Sequence, residues 1–180
     1  IGGAMANTFL SAQGYGIGIS FTEKKMIQTA KEIIQELKYK KCKLVLPLDM
    51  VCADSINEIK EAQTFRVNCC PIDKMILDIG IQSQKNIMDI INKSKTLIWN
   101  GPLGAFETRP FDQGTNNIAN YAANRTSKKQ LISIAGGGDT VSALKTSASI
   151  SKFTYVSTAG GAFLEWLEGK SLPGIESLKI

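Results

Sequence analysis

Short apolar runs at residues 96–98, 131–135 and 155–156 each lead into a glycine-bearing loop. The loops are Trp99-Asn100-Gly101-Pro102-Leu103-Gly104, Gly136-Gly137-Gly138-Asp139-Thr140 and Ser157-Thr158-Ala159-Gly160-Gly161. The second and third open into helical patterns at residues 140–145 and 162–167. A strand that ends in glycine and feeds a helix is the repeating unit of a parallel sheet, because parallel strands need a crossover. In an open parallel sheet the strand C-termini share one edge, and ligands bind in the crevice there. Glycine at that edge leaves backbone N–H groups without side-chain obstruction.

The rest of the chain continues the alternation. Met5, Phe9 and Leu10 suggest a first helix, with Gly14 near its end. Met26, Ile27, Ala30, Ile33, Ile34 and Leu37 recur at helical spacing within residues 23–39. Leu44-Val45-Leu46 reads as a short strand halted by Pro47, residues 64–69 as another halted by Pro71, and residues 76–79 as a third. Residues 84–93 and 116–124 carry helical patterns. Strands alternating with helices imply an α/β chain, a doubly wound parallel sheet with helices on both faces. No linker, repeat or low-complexity segment interrupts residues 1–180, so a single domain is expected.

Composition narrows the chemistry. The sequence has no His, which removes a His-dependent triad and a His-ligated zinc site. Any chemistry must run on carboxylates, hydroxyls, Lys and Arg, or backbone N–H groups. The net charge of +5 suits an anionic ligand. Lys38, Lys40, Lys41 and Lys43 cluster where a helix should end, and cations are favoured there. No aromatic residues interleave with them as a base-stacking platform requires. Cys42, Cys52, Cys69 and Cys70 form no C-x-x-C pair and are expected as reduced, mostly buried thiols of a cytosolic protein. No apolar run approaches membrane-spanning length, and no signal segment opens the chain. Gly169-Lys170-Ser171 lacks the earlier glycine of a P-loop, and Gly14, Gly16 and Gly18 lack the last spacing of a dinucleotide fingerprint.

Asp139 stands at the mouth of the second loop. It suits two roles, the N-cap of the following helix and a magnesium ligand on bound phosphates. A helix N-terminus with free N–H groups is itself an anion site. Taken locally, Asn100 fits a turn former, Pro102 a loop stiffener and Glu107 a solvated acid. Trp99, Phe106, Phe111 and Trp166 are expected in the core. Asp49, Asp54, Asp73 and Asp78 suggest no chemistry.

Residues 99–107, Trp-Asn-Gly-Pro-Leu-Gly-Ala-Phe-Glu, resemble the W-N-G-P-x-G-x-F-E segment of phosphoglycerate kinases. Gly136-Gly137-Gly138-Asp139-Thr140 is similar to that family's G-G-G-D-T loop, and Val156-Ser157-Thr158-Ala159-Gly160-Gly161-Ala162 to its V-S-T-G-G-G-A loop. Ile1-Gly2-Gly3-Ala4-Met5-Ala6 with Thr8-Phe9-Leu10 resembles its I-G-G-G-M-A-x-T-F-L. Leu46-Pro47-Leu48-Asp49, Leu77-Asp78-Ile79-Gly80 and the closing residues 164–174 also fit, so the ordered match runs the length of the chain.

The resemblance covers the C-terminal half of that family and implies a Rossmann-like domain that binds magnesium ADP or ATP. The basic site for 3-phosphoglycerate or 1,3-bisphosphoglycerate would lie in the other half. This chain alone is then expected to bind nucleotide without turnover, as a cytoplasmic monomer with no nucleic-acid or membrane partner. By this resemblance Asp139 holds the Mg2+, and Gly137, Gly138 and Thr140 offer N–H groups and a hydroxyl near the phosphates. Ser157, Thr158, Gly160 and Gly161 face the transferring phosphoryl group, and the catalytic set is Gly137, Gly138, Thr158, Gly160 and Gly161. Asn100 and Pro102 line the nucleotide cleft, with Gly104 and Gly136 in the same set. Glu107 accepts from the ribose hydroxyls, while Gly2, Gly3, Leu77 and Phe21 border the adenine.

Three positions depart from the family pattern: Ala159 and Ile76 stand where Gly is common, and Ile81 replaces a frequent Pro. A non-catalytic nucleotide-binding module and a basic RNA-associated protein are the alternatives. A Rossmann dehydrogenase is disfavoured, since no G-x-G-x-x-G follows a strand.

Overall fold

In the computed structural model, which describes residues 1–178 apart from 59, 61, 158 and 160, the strands form two three-stranded sheets. The elements run α1 (Gly3–Ala12), α2 (Ile27–Leu37), β1 (Asp49–Ala53), β2 (Gln63–Arg66), β3 (Met75–Ile79), α3 (Ile81–Lys93), β4 (Thr96–Asn100), α4 (Gln113–Ser127), β5 (Ile132–Gly136), α5 (Gly138–Thr146), β6 (Tyr155–Val156), α6 (Gly161–Leu167) and α7 (Pro173–Glu176). The class is α/β, and the sheet β4-β5-β6 is parallel, as the alternation implies. The chain divides into two compact units, Ile1–Ile90 with Pro102–Ile118, and Ile91–Gly101 with Ala119–Ile180.

The first unit holds the sheet β2-β1-β3, which is antiparallel throughout. Among the described residues no α-helix lies between β1 and β3, so no helical crossover is seen that would make these strands parallel. Residues 44–46 form no strand among the described residues; the carbonyl of Val45 accepts instead from the Ile1 amino group at 2.8 Å. The ladder starts beyond Pro47, at Asp49. The expected strand over residues 64–69 is shorter, β2 passing into a 3-10 turn at Val67–Cys69. The core of this unit gathers Ala6, Phe9 and Leu10 of α1, Ala30 of α2, Met50 and Cys52 of β1, Ile79 of β3, and Phe111. Burial pushes the Cys52 thiol up to about 12. Cys42 and Cys69 are exposed and Cys70 half-buried, so only one of the four thiols is a core residue.

A buried carboxylate opens α3. Asp49 accepts the N–H groups of Gln82 at 3.0 Å and Ser83 at 2.8 Å, and the Ser83 hydroxyl donates to it at 2.6 Å. These amides belong to the first turn of the helix and have no partner within it. A Cβ on Gly80 would lie 2.3 Å from this carboxyl group, so the approach requires glycine.

The second unit packs α4 and α5 against the parallel sheet. Ala119, Ala122 and Ala123 of α4 are buried at helical spacing, with Ser133 and Ala135 of β5 and Ala143 and Leu144 of α5. Thr126 donates its hydroxyl to Ser133 at 2.8 Å, which satisfies both polar groups at the buried contact. The Trp99 and Phe153 rings are 6.3 Å apart. Trp166, expected in the core, is 57% exposed on α6. On the opposite sheet face Ile98, Ile132 and Tyr155 are about half exposed.

Replacing Asp49 by Ala strands the two α3 amides, while the Ser83 hydroxyl keeps the residue-49 carbonyl as acceptor at 2.8 Å. The expected loss is about 1–3 kcal/mol of unfolding free energy, read by urea melts at neutral pH.

Candidate functional site

The C-terminal ends of β4 and β5 lie side by side, Asn100 opposite Gly136 in the parallel register. Beyond Gly136 the backbone turns at Gly137 (φ 94°, ψ 142°), the N-cap of α5. This conformation is essentially closed to residues with a Cβ. A Cβ there would also meet the Asn100 Oδ1 at 2.7 Å. The first intrahelical bond of α5 is Val141 N–H to the Gly137 carbonyl at 3.0 Å, so the amides of Gly138, Asp139 and Thr140 precede the ladder.

Asp139 therefore does not cap the helix. Gly137 holds that position, and Asp139 is the second residue of the first turn. Its carboxylate is exposed and has no ion pair among the described residues. One acid, three leading amides and a helix dipole thus converge on a single loop, a donor set suited to a phosphate with a hard divalent cation.

Thr140 is 2% exposed, and its Oγ1 accepts the Gly101 N–H at 2.7 Å. The loop after β4 is thereby tied to the first turn of α5. Trp99 Nε1 donates to the Gly101 carbonyl at 2.6 Å and holds the same loop from its other side. Gly136 answers a packing need, because a Cβ there would lie 2.6 Å from the Phe163 ring. Ser157 is 2% exposed; its N–H donates to the Ala135 carbonyl at 2.8 Å, and its hydroxyl accepts from Ala159 N–H at 3.3 Å. Gly161 opens α6. Thr158 and Gly160, both expected at the phosphoryl group, lie outside the described residues.

The remaining expected residues belong to the first unit, and most of them meet. Gly3 donates its N–H to the Leu103 carbonyl at 3.0 Å, and a Cβ on Gly2 would strike the Leu103 side chain at 2.6 Å. The Ala105 N–H donates to the Leu77 carbonyl at 2.7 Å, which brings Gly104 onto β3. Gly2, Gly3, Pro102, Gly104 and Leu77 are thus assembled around one loop. Glu107 follows in an exposed turn, closed by the Thr108 N–H bond to the Ala105 carbonyl at 2.9 Å. Phe21 is 69% exposed on a segment fastened by its carbonyl, which accepts from Asn7 Nδ2 at 3.1 Å. The Ile76 N–H donates to the Ser20 hydroxyl at 2.8 Å and keeps that segment against β3.

Asp78 was not expected to matter, yet it lies under the loop. It is 2% exposed and accepts from Ile79 N–H at 2.8 Å and Gly114 N–H at 2.7 Å. Burial pushes its carboxyl up to about 7, against the pull of those two amides, and the Asp112 charge adds to the rise. An acid inside the apolar run Met75–Ile79 is the sequence signal that could have marked it.

The family model described as "Phosphoglycerate kinase" matches residues 1–170. A phosphoglycerate kinase of Methylorubrum extorquens (strain PA1) is 53% identical over 179 residues, 99% of this chain and 45% of that protein. One from Bradyrhizobium diazoefficiens is 53% identical over 180 residues, again 45% of its length. The solved phosphoglycerate kinase of Coxiella burnetii superposes with a TM-score of 0.91 at 40% identity, covering 97% of this chain and 44% of that one. The chain thus spans less than half the length of the relatives it matches.

Two consequences are measurable. Gly137→Ala forces a Cβ into a glycine-only conformation and into Asn100, and should cost about 1–3 kcal/mol in denaturant melts. The protonation of Asp78 sets a slope. The folded carboxyl stays protonated toward about 7 while the unfolded chain ionises near the ordinary 3.8, so stability falls as pH rises between them. Asp78→Asn should flatten that slope, by up to about 1.4 kcal/mol per pH unit, in urea melts across the window.

Proposed function

The chain belongs to the phosphoglycerate kinase family, and from that premise we propose that it is the nucleotide-binding half of such an enzyme. The ligand is ADP or ATP with Mg2+. The whole protein moves a phosphoryl group reversibly between 1,3-bisphosphoglycerate and ADP, giving 3-phosphoglycerate and ATP in glycolysis.

The observation that carries this reading is the first turn of α5. The glycine-only turn at Gly137 leads into three amides that precede the helical ladder, with the unpaired carboxylate of Asp139 among them. In this reading Gly137, Gly138, Thr140 and Gly136 receive the nucleotide phosphates, and Asp139 holds the metal. Bound Mg2+ would neutralise phosphate charge. Phosphoryl transfer asks mainly for positioning and charge stabilisation, which fixed amides at a helix N-terminus supply without reorganisation. Ser157, Thr158, Gly160 and Gly161 face the phosphoryl group, and Asn100 orients the β4 loop beside Gly137. Gly2, Gly3, Leu77 and Phe21 take the adenine, and Pro102, Gly104 and Glu107 the ribose side, Glu107 as acceptor for the hydroxyls.

The carboxylate substrate binds in the part of the family that this chain does not match. Alone, the chain binds nucleotide without turning it over. It is a cytoplasmic monomer in this reading and takes no nucleic acid or membrane as partner. Among the described residues no helix is long and apolar enough to cross a membrane.

Calorimetric titration with ADP tests the proposal. Saturable binding is expected, weaker by about tenfold or more without Mg2+ and in Asp139→Ala, whose melting temperature stays at the wild-type value. A folded chain that takes up no ADP overturns the reading.

A further inference from the structure

We propose that Asp78 is the positioning residue of the nucleoside-side loop: its buried carboxylate holds residues 102–107, through Gly104 and Gly114, in the arrangement that receives the ribose. The inference rests on the nucleotide reading above and deepens it.

Each residue at the start of this loop has its own anchor. The Leu103 N–H donates to Thr115 Oγ1 at 3.0 Å, and the Leu103 carbonyl accepts from Gly3 at 3.0 Å. Ala105 is bound to the Leu77 carbonyl at 2.7 Å. Between them Gly104 lies against Asp78, so close that a Cβ would be 2.4 Å from Oδ1. A Cβ on Gly114 would meet the same oxygen at 2.4 Å, while Oδ2 accepts the Gly114 N–H at 2.7 Å. One carboxylate on β3 thus bonds the Gly114 end of the segment that displays Glu107 and packs against its Gly104 end.

The residue that flanks α4 does not provide its cap. Asp112 directly precedes the helix and is the local candidate for that role. Its side chain is turned elsewhere, accepting from Asn116 Nδ2 at 2.9 Å and pairing with Arg109 at 3.7 Å. The first-turn amide is taken instead by an acid from another strand. A buried carboxylate on an otherwise apolar strand carries a desolvation cost, which an isosteric apolar residue would avoid. What the acid adds is a directional hold on Gly114 through its N–H and a close-packed seat for Gly104, where a Cβ has no room.

Asp78→Asn tests this at constant size, because the amide keeps an acceptor for one of the two N–H groups and turns a donor toward the other. Two probes are titrated, Mg-ADP and Mg-pyrophosphate; the second presents phosphates alone to α5. ADP should bind about tenfold more weakly while pyrophosphate stays within about twofold. Amide hydrogen exchange over residues 102–107 should quicken by about tenfold, with residues 132–140 unchanged. Thr115→Val removes the Leu103 acceptor without touching Asp78 and should give the same split. Unchanged ADP affinity and loop exchange in a folded Asp78→Asn protein overturn the proposal. So does a parallel loss of both ligands with faster exchange everywhere, which marks a general structural role. A wild-type chain that takes up no ADP overturns the nucleotide reading, and the ribose role with it; the exchange at residues 102–107 still decides the tether by itself.

Discussion

The bond from Gly101 N–H to Thr140 Oγ1 decides the shape of the second unit's working edge. It joins the end of β4 to the first turn of α5 across the parallel pair, where Asn100 stands opposite Gly136. Thr140 is buried, so this bond is made where water offers little competition. Beside it Gly137 turns at positive φ, with Asn100 Oδ1 lying 2.7 Å from where a Cβ on Gly137 would stand. The leading amides of α5 are then left facing outward with the Asp139 carboxylate among them. The proposed anion site would thus be a by-product of how two strand ends are tied together.

The first unit works by a different device. Its sheet is antiparallel, and its loops are anchored by buried acids. Asp49 receives the first-turn amides of α3, and Asp78 receives an amide of α4. In both cases the helix end is satisfied from a neighbouring strand, so strand and helix cannot shift independently. In both cases a glycine, Gly80 or Gly104, stands where a Cβ would collide with the carboxyl group. Glycines that resemble flexible loop residues in the sequence are here sites of close approach.

Legibility differed between the halves for physical reasons. The parallel strands and their helices were readable, because apolar runs ending in glycine and followed by helical spacing have few other interpretations. The antiparallel sheet was mistaken for part of the same alternation, though the stretch from residue 53 to 75 holds no helical spacing that could form a crossover. Residues 44–46 looked like a strand from apolar content alone, yet strand formation needs a partner, and the ladder begins at Asp49. The helix cap was read from residue type, which favours Asp139; the positive φ at Gly137 moved the cap two residues earlier. Burial is not written in residue type, and only its place inside the apolar run Met75–Ile79 sets Asp78 apart from the other acids.

The sequence by itself determined the class of the chain, the order of its glycine loops and the family those loops belong to. Each of these depends on local spacing and on motifs read along the chain. Tertiary structure alone settled which sheet each strand joins, that Gly137 rather than Asp139 caps α5, and that Asp78 lies against Gly104. Those outcomes depend on which groups meet across distance. Pairing, burial and the exclusion of a Cβ arise only when separate segments compete for the same space and the same hydrogen bonds.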